Sequence, residues 1–262
     1  TVTSKKYGEH LNEMLGIQKQ YTLLHDTYHG GYSIEYEGKV NPNTVFCGGR
    51  NGRDWELLIR IAQAMPEVTF NCVMPKDKYE EYKENFGKNM VVKSDIPEQE
   101  FLEFMCQSQL VVTPLDTEAP AGLIAFYQAA ANGKMAITSD TVTTQEYFAD
   151  GRGALCGKDI EDWKNKIQYY LQNREEADVS AAKFKSFLER ECSEEKFRFE
   201  WACVSETDTI LYEPCIPFYD GQRFWYVLRL LPEIQGSENR CGRVLYQKIQ
   251  QDLAIFRITL CA

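Results

Sequence analysis

Residues 111–138 read VVTPLDTEAPAGLIAFYQAAANGKMAIT. The segment opens with an apolar run of strand length, turns through acidic residues and Pro120-Ala121-Gly122, and enters an apolar, alanine-rich helix. That helix closes on Asn132-Gly133, a common stop signal, and a second apolar run of strand length follows at once. Strand, helix and strand in this order make a βαβ unit, whose two strands lie parallel in one sheet. The small residues after Pro120 let a ligand approach the main-chain N–H groups of a helix start.

The alternation continues in both directions. Upstream, TVFCGG (44–49) leads to RDWELLIRIAQAM (53–65), where Trp55, Leu58, Ile59 and Ala62 recur at helical spacing. VTFNCVM (68–74) leads to KDKYEEYKENF (76–86). MVVKSDI (90–96) leads to PEQEFLEFMCQS (97–108), with Phe101, Phe104 and Met105 as its expected buried stripe. Downstream, KMAITSD (134–140) precedes TVTTQEYFAD, and GALCG (153–157) precedes DIEDWKNKIQYYLQN (159–173). Repeated in this way, the pattern predicts an α/β, Rossmann-like parallel sheet with helices on both faces. In such a sheet, ligands bind beyond the carboxyl ends of the strands.

The flanks are less regular. Residues 1–43 hold one helical stretch, SKKYGEHLNEML (4–15), then the irregular HDTYHGGYSIEYEGKVNP (25–42). Residues 175–203 read as helical and charged, and beyond about Ser205 the pattern gives way to loop with a helix or two. The expected organisation is a leading segment (1–43), a sheet domain (44–204) and a C-terminal extension (205–262) of unknown role.

Of the 262 residues, 44% are hydrophobic and 26% charged, which suits a soluble globular chain long enough to bury a core. A formal charge of -10 argues against a dedicated nucleic-acid binder. The nine cysteines form no Cys-x-x-Cys pair, so buried thiols in a reducing compartment are expected, not disulfides or a structural zinc site. With neither a long apolar run nor a leader pattern, the expected location is cytoplasmic.

Chemistry-bearing residues cluster after the strands. In CGGRNGRDW (47–55), Gly48 and Gly49 allow close backbone approach, and Arg50 and Arg53 stand beside a helix start. Guanidinium forks match phosphate oxygens in pairs, and Lys76 after the next strand adds charge. A plain glycine turn with solvated arginines and Asp54 as helix cap is the competing reading. Glu118, two residues before Pro120, is placed to accept hydrogen bonds from sugar hydroxyls, or else to serve a capped helix start. His10, His25 and His29 all precede the sheet and form neither a metal nor a triad pattern. No metal site is expected.

Taken together, these loops resemble the C-terminal, donor-binding domain of GT-B glycosyltransferases, in particular the large retaining family four. The features shared are the Gly-Gly-Arg turn, the proline-marked loop at Pro97 and the run EAPAGLIAFYQAAANGKMAITSD (118–140), over roughly residues 40–200. The resemblance implies a nucleotide-sugar donor, a glycan or glycolipid acceptor, transfer with retention and no metal cofactor. Carried over, Arg50 or Arg53 with Lys76 binds the diphosphate. Glu118 with Ala121, Gly122 and Leu123 faces the donor sugar, and Gln128 takes the place of the ribose-contacting acid. In this sequence the family's first acid falls on Pro120 and its second on the uncharged Gln128.

Residues 1–43 are too short for an acceptor domain and read as the remnant of one, with the hinge that follows it. The resemblance therefore further implies a separate acceptor-domain partner and a peripheral membrane contact through that other half, at the cytoplasmic face. A non-catalytic nucleotide- or sugar-phosphate-binding module is the alternative. Both readings expect cationic side chains and bare main-chain amides to gather at one rim of the sheet, with Arg50, Arg53 and Glu118 around a shared hollow.

Overall fold

The computed structural model describes residues 1–205 and four short strands at residues 212–214, 218–219, 224–225 and 228–230. The chain forms two compact units, Thr1–Glu194 and Glu195–Ala262. The first holds six strands: β1 (Thr44–Gly48), β2 (Thr69–Met74), β3 (Met90–Ser94), β4 (Leu110–Thr113), β5 (Met135–Ser139) and β6 (Ala154–Cys156). Their order across the sheet is β3-β2-β1-β4-β5-β6, with every neighbouring pair parallel. The chain moves outward from β1 to β3 and returns to β4 on the other side. The crevice between β1 and β4 is therefore the topological switch point, where such sheets take their ligands.

Helix α1 (Lys5–Leu15) precedes the sheet, α2 (Trp55–Ala64), α3 (Lys76–Tyr82), α4 (Glu98–Cys106), α5 (Leu123–Ala131), α6 (Val142–Tyr147) and α7 (Ile160–Gln172) each follow a strand, and α8 (Arg174–Glu191) and α9 (Glu194–Ser205) come after them. Side chains alternate faces along each strand. Val45 and Cys47, Leu110 and Val112, and Met135 and Ile137 point into one core with α2 and α7. Phe46, Val111 and Ala136 point into the other with α4 and α5. Burial on both faces explains why these strands read as continuous apolar runs. It also makes α5 apolar nearly all round, since Phe126 and Tyr127 are both fully buried.

Helix starts explain the boundaries. Asp54 caps α2 by accepting from Leu57 N, and Thr141 and Thr144 form a reciprocal capping box on α6. The helix α5 begins at Gly122 in the left-handed region (φ 81°), with no side-chain cap. In α4 the buried residues are Leu102, Phe104, Met105 and Cys106, whereas Phe101 is only partly covered. Phe101 instead stands edge-on to Phe46 at 5.0 Å, over Gly48. Any Cβ at Gly48 would collide with both rings, so this glycine serves packing.

The leading segment packs onto the sheet unit. Ser4 Oγ donates to Glu146 Oε2 at 2.7 Å, Tyr147 Oη donates to Thr3 O at 2.7 Å, and Tyr28 N donates to Cys192 O at 2.6 Å. Cys47, Cys72, Cys106, Cys156 and Cys192 are buried and form no disulfide among the described residues, and burial pushes the thiols of the first and fourth up to about 12. Beyond Ser205, where a helix or two was expected, the described pieces are instead strands: β7 (Tyr212–Pro214), β8 (Phe218–Tyr219), β9 (Phe224–Trp225) and β10 (Leu228–Leu230). They pair antiparallel, β7 with β10 and β8 with β9. The rest of that expectation lies outside the described residues. No helix among the described residues is long and apolar enough to cross a membrane.

Candidate functional site

The loop after β1 and the loop after β4 are zipped together by main-chain bonds at the switch point. Asp54 N donates to Pro114 O at 3.0 Å, Asp116 N donates to Gly52 O at 3.2 Å, and Arg53 pairs with Leu115 as a β-bridge. This closeness requires a glycine at position 52. Its φ is 65°, and a Cβ there would lie 2.7 Å from both Ala121 Cβ and Thr117 Cγ2.

Arg53 turns inward at this seam. Only 7% of it is exposed; its Nε donates to Gly48 O at 3.0 Å and one terminal nitrogen donates to Asn51 O at 2.9 Å. The guanidinium lies between the two loops. A Cβ at Gly49 (φ 132°) would strike it, and one at Gly122 would lie 3.3 Å from it. Arg53 forms no ion pair among the described residues, and its second terminal nitrogen makes no hydrogen bond there. Burial pulls its pKa down, while Cys47 and then Asp116 pull it up. Beside it starts α5, whose first amides lack a side-chain cap and carry the positive end of the helix dipole.

Arg50, Arg53 and Glu118, grouped as one set by the sequence, take three different partners in this structure, and of the three it is Arg53 that lies buried at the seam. Arg50 is exposed and donates to Asp95 Oδ1 at 3.0 Å, on the loop after β3. Asp95 has a φ of 49°, a conformation that sequence reading does not flag. Glu118 accepts from Val142 N through Oε2 at 2.8 Å, and its carbonyl accepts from Thr143 Oγ1 at 2.9 Å. Its carboxylate thus braces the start of α6, because the loop after β4 runs alongside the loop after β5. Lys76 is the exposed first residue of α3, with Glu80 among the charges near it, and no contact joins it to Arg53.

The remaining candidates lie around α5. Ala121 and Leu123 are buried, their side chains serving the core while the main chain turns into the helix. Gln128 is also buried, and its Nε2 donates to Glu98 Oε1 at 3.2 Å. Pro97 stands at the start of α4, so Glu98, which follows it, links the proline-marked loop to Gln128. Sequence reading missed Glu98, and it missed Asp116 on the loop between β4 and α5. The only signal for Asp116 was its place directly after a strand. A hollow of about 240 Å³ opens at this rim, lined by Asp54, Asp116, Glu118, Asp140, Thr141 and Lys158 among others.

Several solved structures share this fold. Sucrose-phosphate synthase from Thermosynechococcus elongatus superposes with a TM-score of 0.65 at 18% identity, covering 79% of this chain and 57% of that one. HepE of Anabaena in complex with UDP-glucose gives 0.64 at 14% identity, covering 79% and 62%. TarM, known from S. aureus, gives 0.62 at 17% identity, covering 78% and 42%. The chain thus matches about half the length of these relatives, and the likeness is one of fold: a Rossmann-like half-domain of the GT-B kind. No curated protein sequence matches the chain. The model of the glycosyl transferase-like family matches residues 50–195, the stretch that carries the seam, α5 and the rim, and the chain belongs to that family.

Proposed function

We propose that the chain binds a nucleotide-diphosphate sugar and serves as the donor half of a glycosyltransferase acting on a glycan or glycolipid acceptor. The observation that supports this is Arg53: a cation with 7% exposure, without an ion pair among the described residues, beside the uncapped start of α5. A buried charge is costly unless it is paired. An anion at the rim would supply the pair and also fill the amides of α5.

In transfer, the bond between the anomeric carbon and the diphosphate oxygen breaks, and negative charge grows on that oxygen. Arg53 and the α5 amides stabilise this charge from fixed positions, with no metal required. The acceptor hydroxyl attacks the same face of the sugar, its proton passes to the departing diphosphate, and configuration is retained. HepE, a neighbour in fold, is described in complex with UDP-glucose, in keeping with such a donor.

A second reading, a nucleotide-binding module without turnover, is favoured by Gln128, which is uncharged and already engaged by Glu98. Calorimetric titration with UDP, GDP, ADP and their sugars tests the first step. Heat with one nucleotide family supports the proposal, and silence across the panel from folded protein removes it. Sugar transfer, on supplying an acceptor-binding half and acceptor, separates the two readings.

A further inference from the structure

The chain holds two Asn-Gly pairs, Asn51-Gly52 at the seam and Asn132-Gly133 at the end of α5. Such a pair can modify itself, because a glycine without a Cβ leaves its amide nitrogen open to the side-chain carbonyl of the asparagine before it. The structure treats the two pairs oppositely. Asn132 Oδ1 accepts from Ile34 N at 3.1 Å, and its Nδ2 donates to Tyr32 O at 2.9 Å and to Gln128 O at 2.7 Å. Gly133 N is also occupied, donating to Ala130 O at 3.1 Å. Asn51 is exposed, and among the described residues neither its side-chain amide nor Gly52 N makes a hydrogen bond. The carbonyl of the peptide joining Asn51 to Gly52 accepts from the Arg53 guanidinium at 2.9 Å. A cation bonded to that oxygen draws electron density from the peptide and stabilises the anion left when Gly52 N loses its proton.

We infer that Asn51 is a site of self-modification, converted through a cyclic imide with Gly52 to aspartate and isoaspartate under the influence of Arg53, while Asn132 keeps its amide. Deprotonated Gly52 N attacks Asn51 Cγ; the N–Cγ bond forms, the Cγ–Nδ2 bond breaks, and Nδ2 leaves as ammonia with a proton from water. Water then opens the ring. Attack at the main-chain carbonyl gives isoaspartate, and the oxygen that accepted from Arg53 becomes part of a free carboxylate. On the donor reading above, that carboxylate pairs with Arg53 and competes with the diphosphate.

The test incubates the wild-type chain, folded or in urea, beside folded Arg53→Met and Asn51→Ser at mildly alkaline pH. Peptide mass spectrometry after cleavage at glutamate follows both sites, and enzymatic methylation counts isoaspartate. Folded wild type should convert Asn51 about tenfold or more faster than Asn132, which must first open locally. It should also convert Asn51 about threefold or more faster than the same chain in urea, and Arg53→Met should lose that gain. Asn51→Ser should lose most of the methylation. An Asn51 amide as durable as that of Asn132, or conversion no faster folded than in urea, overturns the inference. Converted protein should bind UDP about tenfold or more weakly than fresh protein in calorimetry. Equal affinity overturns the placement of the new carboxylate at Arg53. Fresh folded protein that gives no heat with UDP removes the donor reading for uridine nucleotides, and the mass data then decide the modification by themselves.

Discussion

Two buried cations sit at opposite edges of the same sheet. Arg53 is 7% exposed at the carboxyl edge, and Lys134 is 8% exposed at the amino edge, just before β5. Neither forms an ion pair among the described residues. Lys134 Nζ donates to Cys106 O at 2.9 Å, and Cys106 is the last residue of α4. A hollow of about 390 Å³ opens beside it. The difference lies in the helix end each cation meets. Lys134 caps a C-terminus, whose carbonyls already supply negative potential. Arg53 lies beside an N-terminus, where helix and guanidinium are both positive and neither satisfies the other. Burial of a cation is therefore not by itself a sign of a ligand. On the proposed reading, the sign of the neighbouring helix end tells the two cations apart.

The comparison breaks most directly at Arg53. Arg53→Met should weaken nucleotide binding by about 100-fold or more, roughly 2.7 kcal/mol, in calorimetry on folded protein. If Lys134→Met does the same, the distinction between helix ends is wrong. Next in size is Gly52→Ala, which forces a side chain into a left-handed position against Thr117 and Ala121. It should cost about 1–3 kcal/mol in chemical denaturation and loosen nucleotide binding as the two loops part.

Lys134→Met should cost about 1 kcal/mol at neutral pH and leave nucleotide affinity unchanged. It should also change the pH dependence of stability. Burial lowers the Lys134 pKa, so between that lowered value and the ordinary 10.5 the unfolded chain binds more protons than the folded one. Stability from this group therefore rises as pH rises through that window. Denaturation curves at pH 8 and pH 10 should show a smaller alkaline gain in Lys134→Met than in the wild type.

The smallest effect is expected at Arg50. Its pair with Asp95 is exposed, with 72% and 45% of the two side chains accessible, so Arg50→Ala should change stability by less than about 0.5 kcal/mol. Any loss in nucleotide binding should be a few-fold and should fade in high salt. A loss as large as that at Arg53 would put the diphosphate contact on the exposed arginine.

The strands, the helices and their parallel arrangement were legible in the sequence, because hydrophobic periodicity and stop signals are local. The fully buried β1, β4 and β5 read as apolar runs, and Asn132-Gly133 marked the end of α5 within a residue. The glycines around the seam could also be seen, though not their separate tasks: Gly48 gives room to Phe101, while Gly52 lets the two loops meet. Only the folded chain decided where side chains point. Arg50 and Arg53 are three residues apart, yet one reaches the loop after β3 and the other turns under the loop after β4. Glu118 found its partner 24 residues away, and Gln128 found Glu98 30 residues away. Those pairings follow from the strand order, which brings the ends of β1 and β4 together and sets the loops after β4 and β5 side by side. Residue spacing along the chain carries no record of that order, because it arises from burying both faces of one sheet at once.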